Sequence, residues 1–368
     1  MSLPITYASA GVDVEAGDRA VELMKDAVRA THGEQVIGGV GGFAGLFDVS
    51  RLLTYTRPLL ATSTDGVGTK VAIAQAMDIH DTIGFDLVGM VVDDIVVVGA
   101  EPLFMTDYIA CGKVVPERIA DIVRGIAAGC SLAGTALVGG ETAEHPGLLG
   151  EHEYDVAGAA TGVVEADRVL GPERVRAGDV VIGMASSGLH SNGYSLVRRV
   201  INQAGWALDR QVSELGRTLG EELLEPTRIY AADCLALARN DDAQVHGFSH
   251  VTGGGLAANL ARVLPRGLEA TVDRSTWELP AVFTLVSQLG SVPLPDLERT
   301  LNLGVGMVAI VGADGADAAL AQLGAAGVPS WVMGSVQVAG SGSTDGPDYV
   351  QGAKGVDGGS VRLLGAYA

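Results

Sequence analysis

Apolar and polar positions alternate along this chain with two different periods. Between residues 15 and 31, Ala20, Leu23, Met24, Ala27 and Val28 recur at helical spacing, which predicts an amphipathic helix. The run Pro58–Thr64 reads as a short buried strand ending on Asp65, and Lys70 to Met77 continues as a helix. Asp81 can cap a long apolar helix running to about Val98. Leu103–Ala110 and Ala136–Gly139 read as strands around a helix at about 116–133, and Tyr154–Glu165 as another strand. The polar segment Arg168–Gly178 contains Pro172 and precedes a fresh strand, Asp179–Met184, so the domain boundary is expected there. Beyond it the alternation resumes, with a helix at about 192–204, another opened by the glycines at 253–255, a strand near 304–311 and a helix near 314–325. These patterns predict an α/β (α+β) fold in two domains, 1–170 and 175–338. Residues 339–368 are rich in Gly, Ser and Asp and are expected to form a loose tail.

Composition narrows the functional classes. At 368 residues and 48% hydrophobic, the chain can bury two cores of ordinary size. Its formal charge of −20 includes no basic cluster beyond Arg198–Arg199, which argues against a nucleic-acid partner. Binding a phosphorylated ligand would instead need metal ions or backbone N–H groups. Cys111, Cys130 and Cys234 are odd in number, far apart and in no CxxC pair, which speaks against disulfides or zinc and for a reducing compartment. Met1–Gly17 has no apolar core like that of a secretory signal, and no apolar run reaches membrane-span length. A cytoplasmic location is expected.

Several segments suggest chemistry. In Ser63–Lys70 a carboxylate, Asp65, ends a strand, Gly66 and Gly68 allow close backbone approach, and Thr69 and Lys70 enter a helix. These groups suit a metal–nucleotide phosphate, and equally an ordinary capped turn. Asp93 and Asp94 sit inside the apolar run Leu87–Val98, with Asp86 on the face of Asp93. Two carboxylates at about 4 Å repel by roughly 4 kcal/mol at an effective dielectric near 20. With Lys113 the one basic residue between Lys70 and Pro116, a metal is the favoured counter-charge. Gly139–Gly140–Glu141 repeats the theme of strand end, glycines and carboxylate. Ser186–Ser195 packs small polar groups, including Ser191 and Asn192, before a helix; His190 there is either an acid/base or phosphate ligand, or structural. Gly253–Gly254–Gly255 is a further glycine loop entering a helix, without the context of a dinucleotide fingerprint.

Taken in order, these segments resemble the phosphoribosylformylglycinamidine cyclo-ligases (aminoimidazole ribonucleotide synthetases). The resemblance runs from Tyr7–Asp13 through Gly38–Gly45, Ser63–Lys70, His80–Asp86, Gly99–Pro102, Gly139–Ala143, Tyr154–Gly158, Gly188–Arg198, Pro226–Tyr230 and Thr252–Gly255 to Leu303–Met307. It implies a homodimer in which N-terminal strands of two subunits form a shared β-barrel, a C-terminal α/β sandwich-like domain, and ATP and substrate sites near the domain cleft. It also implies an ATP- and Mg2+-dependent ligase of purine biosynthesis. Asp65, Asp94 and Glu141 would hold Mg2+; Gly66, Gly68, Thr69, Lys70, Gly139 and Gly140 would hold ATP. His190 and Asn192 would act at the transferring phosphate, while Ser191 and Gly253–Gly255 bind substrate phosphate. Asp93 stands where the family pattern has Asn, adding a charge beside Asp94. The implied reaction phosphorylates the formyl amide oxygen of formylglycinamidine ribonucleotide, and the amidine nitrogen then displaces phosphate to close the imidazole ring. A small-molecule kinase of the same superfamily and a catalytically silent nucleotide-binding dimer are the competing readings.

Overall fold

Asp13 opens the first helix: its side chain accepts the Ala16 N–H at 3.0 Å, one of the amides a helix start leaves unpaired. The computed structural model describes residue 11 and residues 13–340, 346–352 and 358–368; Tyr7–Ala10 and Val12 of the N-terminal motif lie outside them. The chain divides into two units, one comprising residues up to Ile95 with Glu101–Glu165, the other Val96–Ala100 with Ala166–Ala368. The short piece Val96–Ala100 goes with the second unit, where Val98 O accepts the Leu170 N–H.

In order, the first unit contains α1 (Val14–Ala30), the hairpin β1 (Val36–Ile37) and β2 (Leu46–Phe47), β3 (Pro58–Gly66), α2 (Val71–Met77), α3 (Ile83–Val96), β4 (Glu101–Cys111), α4 (Pro116–Ala133), β5 (Ala136–Glu144) and β6 (Tyr154–Glu165). Its sheet has the order β3-β6-β4-β5, with β4 and β5 parallel around α4 and the other pairs antiparallel. Side chains of β4 alternate between faces as a strand requires: Met105, Asp107 and Ile109 are buried, whereas Thr106 and Tyr108 are exposed. The expectation of a buried strand at Pro58–Thr64 is corrected. The strand is present, but as the sheet edge, with Leu60 67% exposed.

The second unit contains β7 (Val180–Ala185), α5 (Tyr194–Ala204), the hairpin β8 (Gln211–Val212) and β9 (Arg217–Thr218), α6 (Leu219–Leu223), α7 (Ala231–Ala238), β10 (Val245–His250), α8 (Gly255–Arg262), β11 (Leu268–Asp273), α9 (Ala281–Gly290), α10 (Leu294–Glu298), β12 (Val305–Val311), α11 (Ala316–Ala325), β13 (Ser330–Val338), β14 (Tyr349–Gln351) and β15 (Ser360–Leu364). Seven of these strands form one sheet, β10-β12-β7-β13-β11-β15-β14. Leu260 and Ala261 of α8 share its core with Val181, Ala270, Val308, Ile310 and Trp277.

The loose tail expected over 339–368 is also corrected where the structure describes it. β15 lies parallel to β11, with Val361 opposite Ala270, and β14 adds an outer strand. Val361 and Leu363 are buried on either side of Arg362, a period-two pattern too short to stand out from the glycines around it. Among the described residues no helix is long and apolar enough to cross a membrane.

Candidate active site

The first unit carries a cavity of about 390 Å³ between α1, the Gly39–Gly45 loop and β5. Val21 and Met24 supply apolar wall, while Gly139, Gly140 and Glu141 bring the middle of β5 to it, the strand running on past the expected end to Glu144. Asp107, which sequence reasoning missed, lies at this cavity on the buried face of β4. Its Cα is opposite Gly140, and a Cβ on Gly140 would stand 2.1 Å from Asp107 Oδ1. A side chain at 140 would therefore have to displace the Asp107 carboxylate. A lone Asp inside the apolar run Leu103–Ala110 was the available clue.

Burial pushes the Asp107 carboxyl up to about 7, against the opposing hydrogen bond of its own backbone. A carboxyl raised on folding costs stability once it ionises; the penalty is absent below the unfolded value near 3.9 and complete above pH 7. Asp107→Asn is therefore expected to raise Tm relative to the unsubstituted protein at pH 8 and to change it little at pH 4. Thermal melts of both proteins at the two pH values check this; an equal difference at both would contradict it.

Asp65, one residue before the end of β3, is exposed, its Oδ1 accepting the Gly66 N–H at 2.7 Å. Gly68, at φ 72°, and Thr69 follow, both exposed, in a single 3-10 turn. Lys70 does not follow them outward. Its ammonium is wholly buried and pairs at 2.8 Å with Asp86, also wholly buried. In this structure Lys70 therefore pairs with Asp86, and the argument that these carboxylates lack a nearby cation is corrected, since Lys70 itself serves Asp86. On α3 the adjacent acids diverge: Asp93 is buried and Asp94 exposed, between buried neighbours. Asp65, Asp94 and Glu141 do not form one cage, because among the described residues no group of three His, Cys, Asp or Glu could hold a metal ion.

In the second unit the Ser186–Gly193 loop joins β7 to α5. His190 is 2% exposed at φ 60°, and its Nε2 accepts the Ser187 N–H at 3.1 Å. Its ring reaches the Cα of Gly306, where a Cβ would meet His190 Cε1 at 2.4 Å and Tyr230 Oη at 2.1 Å. Of the two readings left open for His190, these surroundings favour the structural one. Ser191 is buried, whereas Asn192 is partly open, and its Oδ1 lies 3.4 Å from where a Cβ on Gly253 would be. The Asn192 and Gly253 loops therefore meet. Gly254 and Gly255 take φ 105° and 75° at the start of α8, and a Cβ on Gly255 would fall 1.8 Å from Glu298 O. Asn259, another residue missed from sequence, fastens this loop: its Nδ2 donates to Gly255 O at 2.9 Å and Thr252 O at 3.2 Å.

The two units and their glycine loops define a class of α/β protein known from solved structures. The thiamine-monophosphate kinase from Stenotrophomonas maltophilia superposes with a TM-score of 0.63 at 18% identity, covering 94% of this chain and 97% of that one. The hydrogenase maturation protein HypE in complex with ATP does so at 0.63 and 17%, covering 90% and 89%. At such identities the likeness speaks for the fold alone. The sequence goes further: the AIR synthase related protein N-terminal domain matches residues 48–164, and its C-terminal domain residues 176–345. The chain belongs to the AIR synthase related proteins. A phosphoribosylformylglycinamidine cyclo-ligase of Desulfitobacterium hafniense is 50% identical over 345 residues, 94% of this chain and 99% of that protein.

Proposed function

We infer that this chain is an ATP-dependent cyclo-ligase of purine biosynthesis, converting formylglycinamidine ribonucleotide to aminoimidazole ribonucleotide with release of ADP and phosphate. The observation that carries this reading is the end-to-end 50% identity with a protein named for that activity. ATP donates its γ-phosphoryl group to the formyl amide oxygen; the amidine nitrogen attacks the activated carbon, and phosphate leaves with that oxygen. The attacking nitrogen belongs to the substrate, so no enzyme nucleophile is needed, and catalysis rests on positioning and charge neutralisation.

Gly66 at the end of β3 leads into the turn of Gly68 and Thr69, which is exposed and suited to nucleotide phosphates, and Gly139 and Gly140 line a cavity of ligand size. Lys70 serves this reading indirectly, by holding the turn to α3 through Asp86. Mg2+ prefers one or two carboxylates completed by phosphate and water, so the exposed Asp65 and Asp94 are its candidate ligands. The ion would neutralise charge on the phosphoryl group. Glu141 stands apart from that pair in this assignment, at the cavity with Asp107. Ser191, Asn192 and Gly253–Gly255 hold substrate phosphate, and His190 shapes the turn that presents them. The enzyme works in the cytoplasm, where its three buried cysteines, none of them in a disulfide, suit the redox poise. ADP formation measured with and without formylglycinamidine ribonucleotide tests the reading; ADP release indifferent to that substrate would sink it.

The open face of the first unit's sheet supports a homodimer with a shared barrel. Leu60 and Tyr108 are exposed there, a mixed apolar surface of the kind that partners cover. Leu60→Asp is expected to convert the dimer to a monomer. Light scattering reads the mass directly, and a chain that is monomeric before substitution would contradict the proposal.

A further inference from the structure

Both glycine loops of the second unit rest on one segment, residues 298–302. Glu298 O is the atom nearest the position of a Cβ on Gly255, and Leu301 Cδ2 and Thr300 O lie 2.4 and 3.1 Å from that of a Cβ on Gly193. Asn302 Nδ2 donates to Gly188 O at 2.9 Å, and its Oδ1 accepts Ser186 Oγ at 3.2 Å. A shift of this segment therefore moves both loops.

The segment is held in turn by the end of the chain. Arg274, buried just after β11, donates Nε and Nη2 to the two oxygens of Glu298, at 2.6 and 3.0 Å. The same Nη2 donates to Asp348 Oδ1 at 2.6 Å, and Nη1 to Gly365 O at 3.3 Å. Tyr367 donates its hydroxyl to Glu298 Oε1 at 2.9 Å and stands edge-on to Trp277, ring centres 5.2 Å apart. The Trp277 indole N–H closes the bracket on Leu303 O at 3.0 Å. Burial, then the Glu298 carboxylate, push the Tyr367 phenol upward, so it remains a hydrogen-bond donor.

We propose that Asp348 and Tyr367, acting through Arg274 and Glu298, are positioning residues for the two glycine loops: the C-terminal end of the chain sets how the loops are presented to ligand. The placement stands on contacts alone, while its catalytic consequence rests on the reading of those loops as phosphate holders.

The test compares Tyr367→Ala and the milder Tyr367→Phe with the unsubstituted enzyme by hydrogen–deuterium exchange and by kinetics. Exchange should quicken in 186–193 and 252–256 and stay unchanged in β12, in both variants and more in the Ala variant. Losing a hydrogen bond to a charged group should raise KM for the ribonucleotide about tenfold, with KM for ATP and kcat nearly constant. Unchanged loop exchange in both variants overturns the positioning role, whatever the activity. Faster exchange throughout the unit in both, with an unchanged KM in the folded enzyme, also overturns it, as a merely structural part. Exchange needs no substrate, so its result is separate from failure of the cyclo-ligase reading, which would appear as absent turnover in the unsubstituted enzyme.

Discussion

Asp94→Asn is expected to lower kcat by at least the roughly 10–100-fold typical of losing a group that supports a metal site, with Tm nearly unchanged. Asp94 is an exposed carboxylate on a helix otherwise turned inward, between the buried Asp93 and Ile95. An exposed carboxylate there is placed to meet a phosphate-bound Mg2+, which takes one or two carboxylates with phosphate and water. Turnover within a factor of two of the unsubstituted enzyme at saturating Mg2+ would remove Asp94 from the site. A large drop in Tm would show that its role lies in the fold.

Lys70→Met should have the largest effect on stability. The Lys70–Asp86 pair has no exposed surface on either side, so removing the lysine takes this cation from a buried carboxylate, a loss of about 3–5 kcal/mol. Replacing both partners with apolar residues of similar volume, Lys70→Met with Asp86→Leu, should recover much of that loss, because the desolvation of both charges disappears with them. Urea unfolding of the single and double variants measures this. A double variant no more stable than the single one would show that the pair is held by more than mutual charge.

Much of the architecture was legible because it is local. Ala20, Leu23, Met24, Ala27 and Val28 announce α1, and the glycine loops mark the entries to α5 and α8 by chain order alone. The misreadings concern what lies across space. Leu59 and Leu60 read as core because adjacent apolar residues usually are, yet among the described residues their strand is a sheet edge with Leu60 exposed. The Lys70–Asp86 pair was not legible because Asp86 is a helix away along the chain. Asp107 was hidden in an apolar strand, and its meaning depends on Gly140 beside it on β5. Likewise, Asp348 and Tyr367 fall in a glycine-rich stretch whose composition concealed β14 and β15, although both side chains reach the Arg274–Glu298 pair.

The central claim is that this enzyme activates the substrate's amide oxygen and then expels it as phosphate. The most direct measurement uses formylglycinamidine ribonucleotide carrying 18O in the formyl group, with ATP and Mg2+, and follows the label by mass spectrometry. The account predicts one 18O in the released inorganic phosphate for each imidazole ring formed, with ADP in equal amount. Label remaining in the nucleotide product, or a stable phosphorylated ribonucleotide with no phosphate released, would contradict it and point to a kinase.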